Sequence, residues 1–318
     1  MKASMADYLR VVTPHLHAEL IAPEALSHLQ ILTQTLPPCS LAGFECRLGT
    51  DQSQVDFLVK LPRYSLNLPE HFFTSPIWQA FQEFYQDWTE PTSALHQNVK
   101  SLGLEFDLVG QPSLVPIPCI LLELNQESFS EDFSLIEILT GKSLSRLNYL
   151  PSLLLQSNLQ RCVKSLPKGA RLTNIGMMLS RPSQAVRVVV KEISPPQLLN
   201  YLVQIGWQDP TDKLSSLVST LSEFVDSLAL SFDVGDSIHP RIGLECHLDK
   251  KTRPARRWQL FLDYLVERGL CTPDKQKSLL AWPGLSTQAD QPELWPSNLT
   301  WGDRFLALFC HSGWRIMS

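Results

Sequence analysis

The residues of this chain best suited to chemistry lie in short segments where apolar and ionisable side chains alternate. Two of these, Gly103-Leu104-Glu105-Phe106-Asp107-Leu108 and Gly243-Leu244-Glu245-Cys246-His247-Leu248, read almost alike. Successive side chains of a strand point to opposite faces, so each segment has one apolar and one ionisable side. The same alternation sets Glu45, Arg47, Asp56, Lys60, Glu123, Arg187, Lys191, Asp233 and Arg241 on the ionisable side of their own segments. Arginine and lysine can hold an anionic leaving group, and a carboxylate can take a proton from a reacting group. Arg187 and Lys191, about 13 Å apart along one strand, could bind an anion or pair with Glu123 or Glu245 across the sheet. Glu245-x-His247 offers an acid/base pair or half of a metal site, with no third ligand specified. Glu105-x-Asp107 offers the oxygen ligands that suit Mg²⁺.

The segments that must position these groups recur in a fixed order: one or two helices, then two strands. The pattern predicts strand pairs at Gly43–Leu48 with Val55–Leu61, Leu102–Val109 with Pro118–Leu124, Arg171–Ser180 with Ala185–Ile193, and Leu228–Val234 with Arg241–Asp249. Helices are expected at Ala6–Leu20, Pro23–Leu36, Ser75–Thr89, Ser134–Leu139, Pro151–Leu166, Pro195–Ile205, Asp212–Leu228, Arg256–Arg268, Pro273–Ala281 and Trp301–Cys310. After the last of them the chain has room for one short strand in Gly313–Ser318. No low-complexity linker divides the 318 residues, which reads as a single domain over 1–318.

Composition narrows the functional classes. A 44% hydrophobic and 19% charged chain with net charge −5 is an ordinary globular sequence and gives no reason to expect nucleic acid or an anionic membrane as partner. Seven scattered cysteines, never spaced CxxC, argue against a disulfide framework or a zinc finger and for a reducing compartment. With no signal-peptide core and no apolar run of membrane-spanning length, the expectation is a cytoplasmic protein. P-loop, GxGxxG, HExxH and GxSxG motifs are absent.

The apolar side of the strands must pack on the amphipathic helices. Its opposite, ionisable side has two possible settings. An open two-layer sheet would leave it in bulk water. Closure of a strongly twisted antiparallel sheet would gather it into a polar interior and remove the exposed edges. The expected class is therefore α+β, an antiparallel barrel of repeated ααββ units inside a ring of helices, with the open sheet as the other arrangement.

Helix-helix-strand-strand units around a polar-lined antiparallel barrel resemble the ABBA, or PT-barrel, prenyltransferases, which include aromatic, indole and cyanobactin-type peptide prenyltransferases. The resemblance covers nearly the whole chain and is architectural, without a signature string. It implies transfer of an isoprenoid from an allylic diphosphate to an aromatic or peptide side chain in natural-product biosynthesis. It implies that Arg47, Lys60, Arg187, Lys191 and Arg241 bind the diphosphate and that Glu45 or Glu105 orients or deprotonates the acceptor. Asp107, Glu123, Asp233, Glu245 and His247 would line the rest of the interior. No redox cofactor and no resident metal are implied, with Mg²⁺ able to accompany the diphosphate. The family fold has five strand pairs where four are clear here, so a second copy of the chain could close the seam as a homodimer. None of the six tyrosines falls in an expected strand, although strand tyrosines shield the allylic cation in that family, and Met178 or aromatics from helices and loops would have to substitute. The alternative reading is a non-catalytic binding barrel for a peptide or small polar ligand. Seven carboxylates facing five cations allow such a ligand to be itself cationic.

Overall fold

The computed structural model describes residues 4–39, 41–49, 54–64, 66–110, 112–125, 147, 151–181, 185–208, 211–248, 255–281, 292, 293, 295 and 314–317. The fold is α+β with antiparallel strands, and it divides into two compact units of interleaved sequence. Unit one comprises Met1–Phe72, Glu105–Pro116 and Pro254–Cys310, and unit two comprises Phe73–Leu104, Ile117–Arg253 and His311–Ser318. The helices expected at Ser134–Leu139 and Trp301–Cys310 lie outside the described residues.

Unit one holds α1 (Met5–Val12), α2 (Pro23–Thr35), β1 (Leu41–Cys46), β2 (Val55–Lys60), the end of β3 (Val99–Asp107), α8 (Ala255–Glu267) and α9 (Pro273–Leu280). The helix expected to reach Leu20 stops at Val12 and passes into a 3₁₀ turn, Thr13–His15. Pro14 explains the stop, because its ring removes a backbone donor and clashes with the preceding turn. β1 and β2 pair from Leu41↔Lys60 to Cys46↔Val55, and the Leu108 N–H donates to Val55 O at 3.2 Å as the chain leaves β3. Val55, Phe57 and Val59 are buried on one side, with Phe44 packed on Phe57 at 5.5 Å between ring centroids. α9 clasps the hairpin turn. The buried Lys275 ammonium donates to Arg47 O at 2.6 Å and Gly49 O at 3.1 Å, and the Thr272 N–H donates to Leu48 O at 3.0 Å.

Unit two holds α3 (Pro76–Thr89), α4 (Ala94–Asn98), the start of β3, β4 (Cys119–Leu124), α5 (Leu153–Lys164), β5 (Arg171–Met177), β6 (Val186–Lys191), α6 (Pro195–Ile205), α7 (Thr211–Phe224), β7 (Ser227–Val234), β8 (Ile238–His247) and β9 (Trp314–Met317). From β4 onward each strand pairs antiparallel with the next, ending with β8 on β9. The chain end, which has room for one short strand, does form one. Helices begin where the sequence offers caps: Ser152 Oγ accepts from Leu155 N–H, and Ser194 with Gln197 closes a reciprocal capping box before α6. α6 ends at Gly206 with φ 88, a left-handed turn that glycine adopts without steric cost.

Ile120, Leu122 and Leu124, Ile175 and Met177, Val186, Val188 and Val190, Leu228, Leu230 and Phe232, and Ile242, Leu244 and Cys246 are all buried. This is the apolar side that alternation picks out. Helices cover it: Tyr201 of α6 lies 6.2 Å from Phe232 of β7 by ring centroid and donates its hydroxyl to Cys162 O at 3.0 Å. α3 adds an aromatic stripe in which Trp78, Phe81, Phe84 and Trp88 are at most 1% exposed. Burial of this kind also silences the cysteines. The thiols of Cys39, Cys46, Cys162 and Cys246 are pushed up to about 12, and that of Cys271 to about 11. Among the described residues no helix is long and apolar enough to cross a membrane.

Candidate functional site

Strand register fixes which ionisable side chains of unit two become neighbours. One row runs Leu121↔Gly176↔Arg187↔Asp233, and the next runs Glu123↔Asn174↔Val189↔Ser231↔Gly243. A third sets Ala229 against Glu245, and a fourth Ser227 against His247. The side is polar but withdrawn from water: Ser231 is 2% exposed and Ala229 fully buried. Small residues make room on it. A Cβ on Gly176 would stand 2.6 Å from Met178 Cε, 3.0 Å from Leu121 Cδ2 and 3.3 Å from Arg187 Cβ. The glycine thus lets the apolar stems of Met178 and Leu121 close over the strand beside Arg187. None of the nine described strands contains tyrosine.

The ion pairs depart from the cross-sheet partners considered for Arg187 and Lys191. Arg187 does not pair with Glu123 or Glu245. It forks onto Asp233, with Nε to Oδ1 at 2.8 Å and Nη2 to Oδ2 at 3.0 Å. The register places these two residues directly opposite, the geometry that favours a bidentate pair. Glu123 accepts from Lys100 Nζ at 2.7 Å and Ser101 Oγ at 2.6 Å. Neither partner falls within the strand expected from Leu102, because β3 begins earlier, at Val99.

Lys191 is the exception. It ends β6 half-buried, and Glu192 then turns the backbone sharply with φ 57 and pairs with Arg171 at 3.0 Å. Among the described residues no carboxylate comes within ion-pair distance of Lys191. Its charge is felt by His247, whose imidazole is pulled down to about 4, first by burial and then by Lys191. His247 Nε2 stands 3.8 Å from Glu245 Oε2, with side chains 20% and 12% exposed. The imidazole is therefore neutral at pH 7.

This depressed value has a consequence for stability. Between pH 6.5 and about 4 the unfolded chain takes a proton at His247 that the folded chain refuses. Stability should therefore fall on acidification through that window, by about 2 kcal/mol once the partial exposure of the ring is discounted. Urea unfolding of wild type and His247→Gln at pH 7 and pH 4.5 measures it. Equal acid losses in the two proteins would contradict a buried neutral imidazole.

Unit one gathers a second group. One carboxylate oxygen from each of Glu45, Asp56 and Glu105 lies within 4.8 Å of the others. Asp56 is 2% and Glu105 4% exposed. Arg47 Nη2 reaches Asp56 Oδ2 at 2.5 Å and supplies a positive charge. Arg47 lies just beyond β1, which ends at Cys46 rather than Leu48, yet its N–H still donates to Gln54 O at 3.3 Å, so the hairpin keeps it in place. Three carboxylates at this spacing would suit a hard cation such as Mg²⁺. Lys60 and Asp107, the last residues of β2 and β3, are half-buried.

Arg241 stands apart. It is exposed, beside the irregular register between Phe232 and Val234, and the folding of β8 does not bring it to the other charges. Two contributors are legible in the sequence only in part or not at all. Asp56 alternates onto the ionisable side, but nothing local says that it is more deeply buried than its neighbours. Lys275 sits in a polar helix segment, PDKQKSLL, whose composition suggests solvent, and only the tertiary fold brings it to the hairpin carbonyls.

Compared with models of known protein families and with curated proteins, the chain matches none.

Proposed function

We propose that the chain is a prenyltransferase-like enzyme of the ABBA type, transferring an isoprenoid from an allylic diphosphate to an aromatic or peptide side chain. The element order supports this reading, with helices preceding β1–β2, β3–β4, β5–β6 and β7–β8, and a further helix pair preceding β9. The observation that carries it is Lys191, a half-buried ammonium without a carboxylate partner among the described residues. A partly shielded ammonium on this side of the sheet can stabilise the charge that grows on a departing diphosphate. Lys191 and Arg187 of unit two are assigned to the diphosphate. Arg241 becomes a solvent-side contact.

The second reading, a non-catalytic module for a peptide or small polar ligand, is favoured by a separate observation. Arg187 and Arg47 are already neutralised by Asp233 and Asp56, which leaves fewer cations for an anion.

Calorimetric titration with dimethylallyl, geranyl and farnesyl diphosphate, with and without Mg²⁺, separates the two. Saturable binding of at least one, weakened about tenfold or more in Lys191→Met, together with mass addition to a tyrosine- or tryptophan-containing peptide, is expected. Binding without mass addition would favour the module, and no binding to any of the three would remove the prenyltransferase reading.

A further inference from the structure

Resting on the diphosphate reading above, the ligand chemistry of unit two can be carried one step further. The residues concerned are Lys191, Glu245 and His247. Val190 pairs with Leu230, so Lys191 follows beside Ala229, and Ala229 pairs with Glu245. His247 faces Ser227, one alternate position further along the same two strands. β7 thus contributes an alanine and a serine here, and no charge. Charged groups beside the imidazole include Lys191 from β6 and Glu245 from its own strand, and β9 brings Arg315 opposite Glu245 in the register. Arg187 and Asp233 lie further along and balance one another.

Such a group has one permanent cation without a carboxylate partner among the described residues and one ring that can become a second. In the empty protein, Lys191 and burial both oppose a charge on His247. An anion of two or more charges seated on Lys191 cancels that opposition, and Glu245, 3.8 Å from the ring, favours the protonated form. We propose that Lys191 and His247 form a proton-coupled anion site, in which an arriving diphosphate is held by Lys191 and turns His247 from a neutral imidazole into a second cation. The proton comes from solvent, lands on the imidazole, and leaves it when the diphosphate departs, so nothing is consumed. The arrangement also gives selectivity. A singly charged anion neutralises Lys191 and leaves little field to charge His247, whereas a diphosphate has charge for both.

The site predicts a linkage between affinity and pH. Where free His247 is neutral and bound His247 is protonated, binding strengthens as pH falls, by at most about tenfold per pH unit. Calorimetric titration of the full chain with inorganic diphosphate at pH 6, in buffers of different ionisation enthalpy, gives the protons taken up on binding. Because diphosphate itself titrates, the quantity read is the difference between wild type and His247→Gln. A difference of about half to one proton is expected, with tighter binding to wild type. In parallel, the imidazole signal of His247 in wild-type protein should titrate at higher pH with diphosphate present than without it, a readout that does not depend on any variant folding. Binding with the same proton balance in both proteins, and no movement of the His247 titration, would overturn this inference and leave the diphosphate reading standing. Absence of any diphosphate binding would overturn both.

Discussion

Replacing Trp88 with alanine should lower the unfolding free energy by about 3–5 kcal/mol, the range for emptying a large aromatic site in a core. Trp88 is 1% exposed near the end of α3 and packs on Tyr85 with ring centroids 5.7 Å apart. Its indole N–H also donates to Val99 O at 2.9 Å, the first residue of β3. That single side chain therefore joins the aromatic stripe of a helix to the start of the strand that carries Ser101, a partner of Glu123. Trp88→Phe separates the two contributions. It keeps most of the ring volume and loses the hydrogen bond, with an expected cost of about 1 kcal/mol beyond the smaller ring. Urea unfolding followed by far-ultraviolet circular dichroism measures both. A loss below about 1 kcal/mol for Trp88→Ala would mean that this part of unit two is not the close-packed core described.

The second large effect belongs to Arg47. Removing one partner of a buried ion pair strands the other in a medium that solvates it poorly. Asp56 is 2% exposed and shares its surroundings with Glu45 and Glu105, so Arg47→Met would leave three carboxylates together without their guanidinium. Because Arg47 itself keeps 31% side-chain exposure, the expected loss is about 2–3 kcal/mol, below the full penalty of an enclosed pair. Arg47→Met combined with Asp56→Asn should recover most of it, since the uncompensated charge is then gone. If the double variant is no more stable than Arg47→Met alone, the loss comes from the packing of the arginine stem and not from its charge.

How much of this arrangement can be read from the sequence follows from the range of the interactions involved. Strict alternation in segments such as Val186-Arg187-Val188 or Leu244-Glu245-Cys246 separates the two sides of a strand using neighbours alone, and the buried residues agree with it. Segment ends are less legible, because a strand stops where its partner does. β1 begins at Leu41 and not Gly43, and β8 begins at Ile238 and not Arg241, each extended by pairing that the local pattern does not announce. α4, five residues capped by Ser93, is too short for a periodic signal. The ion pairs are the least legible part. Arg187 meets Asp233 because of the register of β6 on β7, and irregularities at Leu172/Asn174 and Phe232/Val234 shift such registers by amounts that no spacing reveals. Lys191 is recognisable as an ionisable strand residue. Its lack of a carboxylate partner among the described residues is a property of three strands at once.

The quiet thiols offer an independent way of timing the molecule. A sulfhydryl at about 12 exists as thiolate in roughly one copy in a hundred thousand at neutral pH, so alkylating reagents pass it by until its surroundings open. Cys39, Cys46 and Cys271 belong to unit one, and Cys162 and Cys246 to unit two. The chain therefore carries two sets of native gauges, and a labelling time course resolved cysteine by cysteine would clock the opening of one unit against the other without introducing any foreign probe.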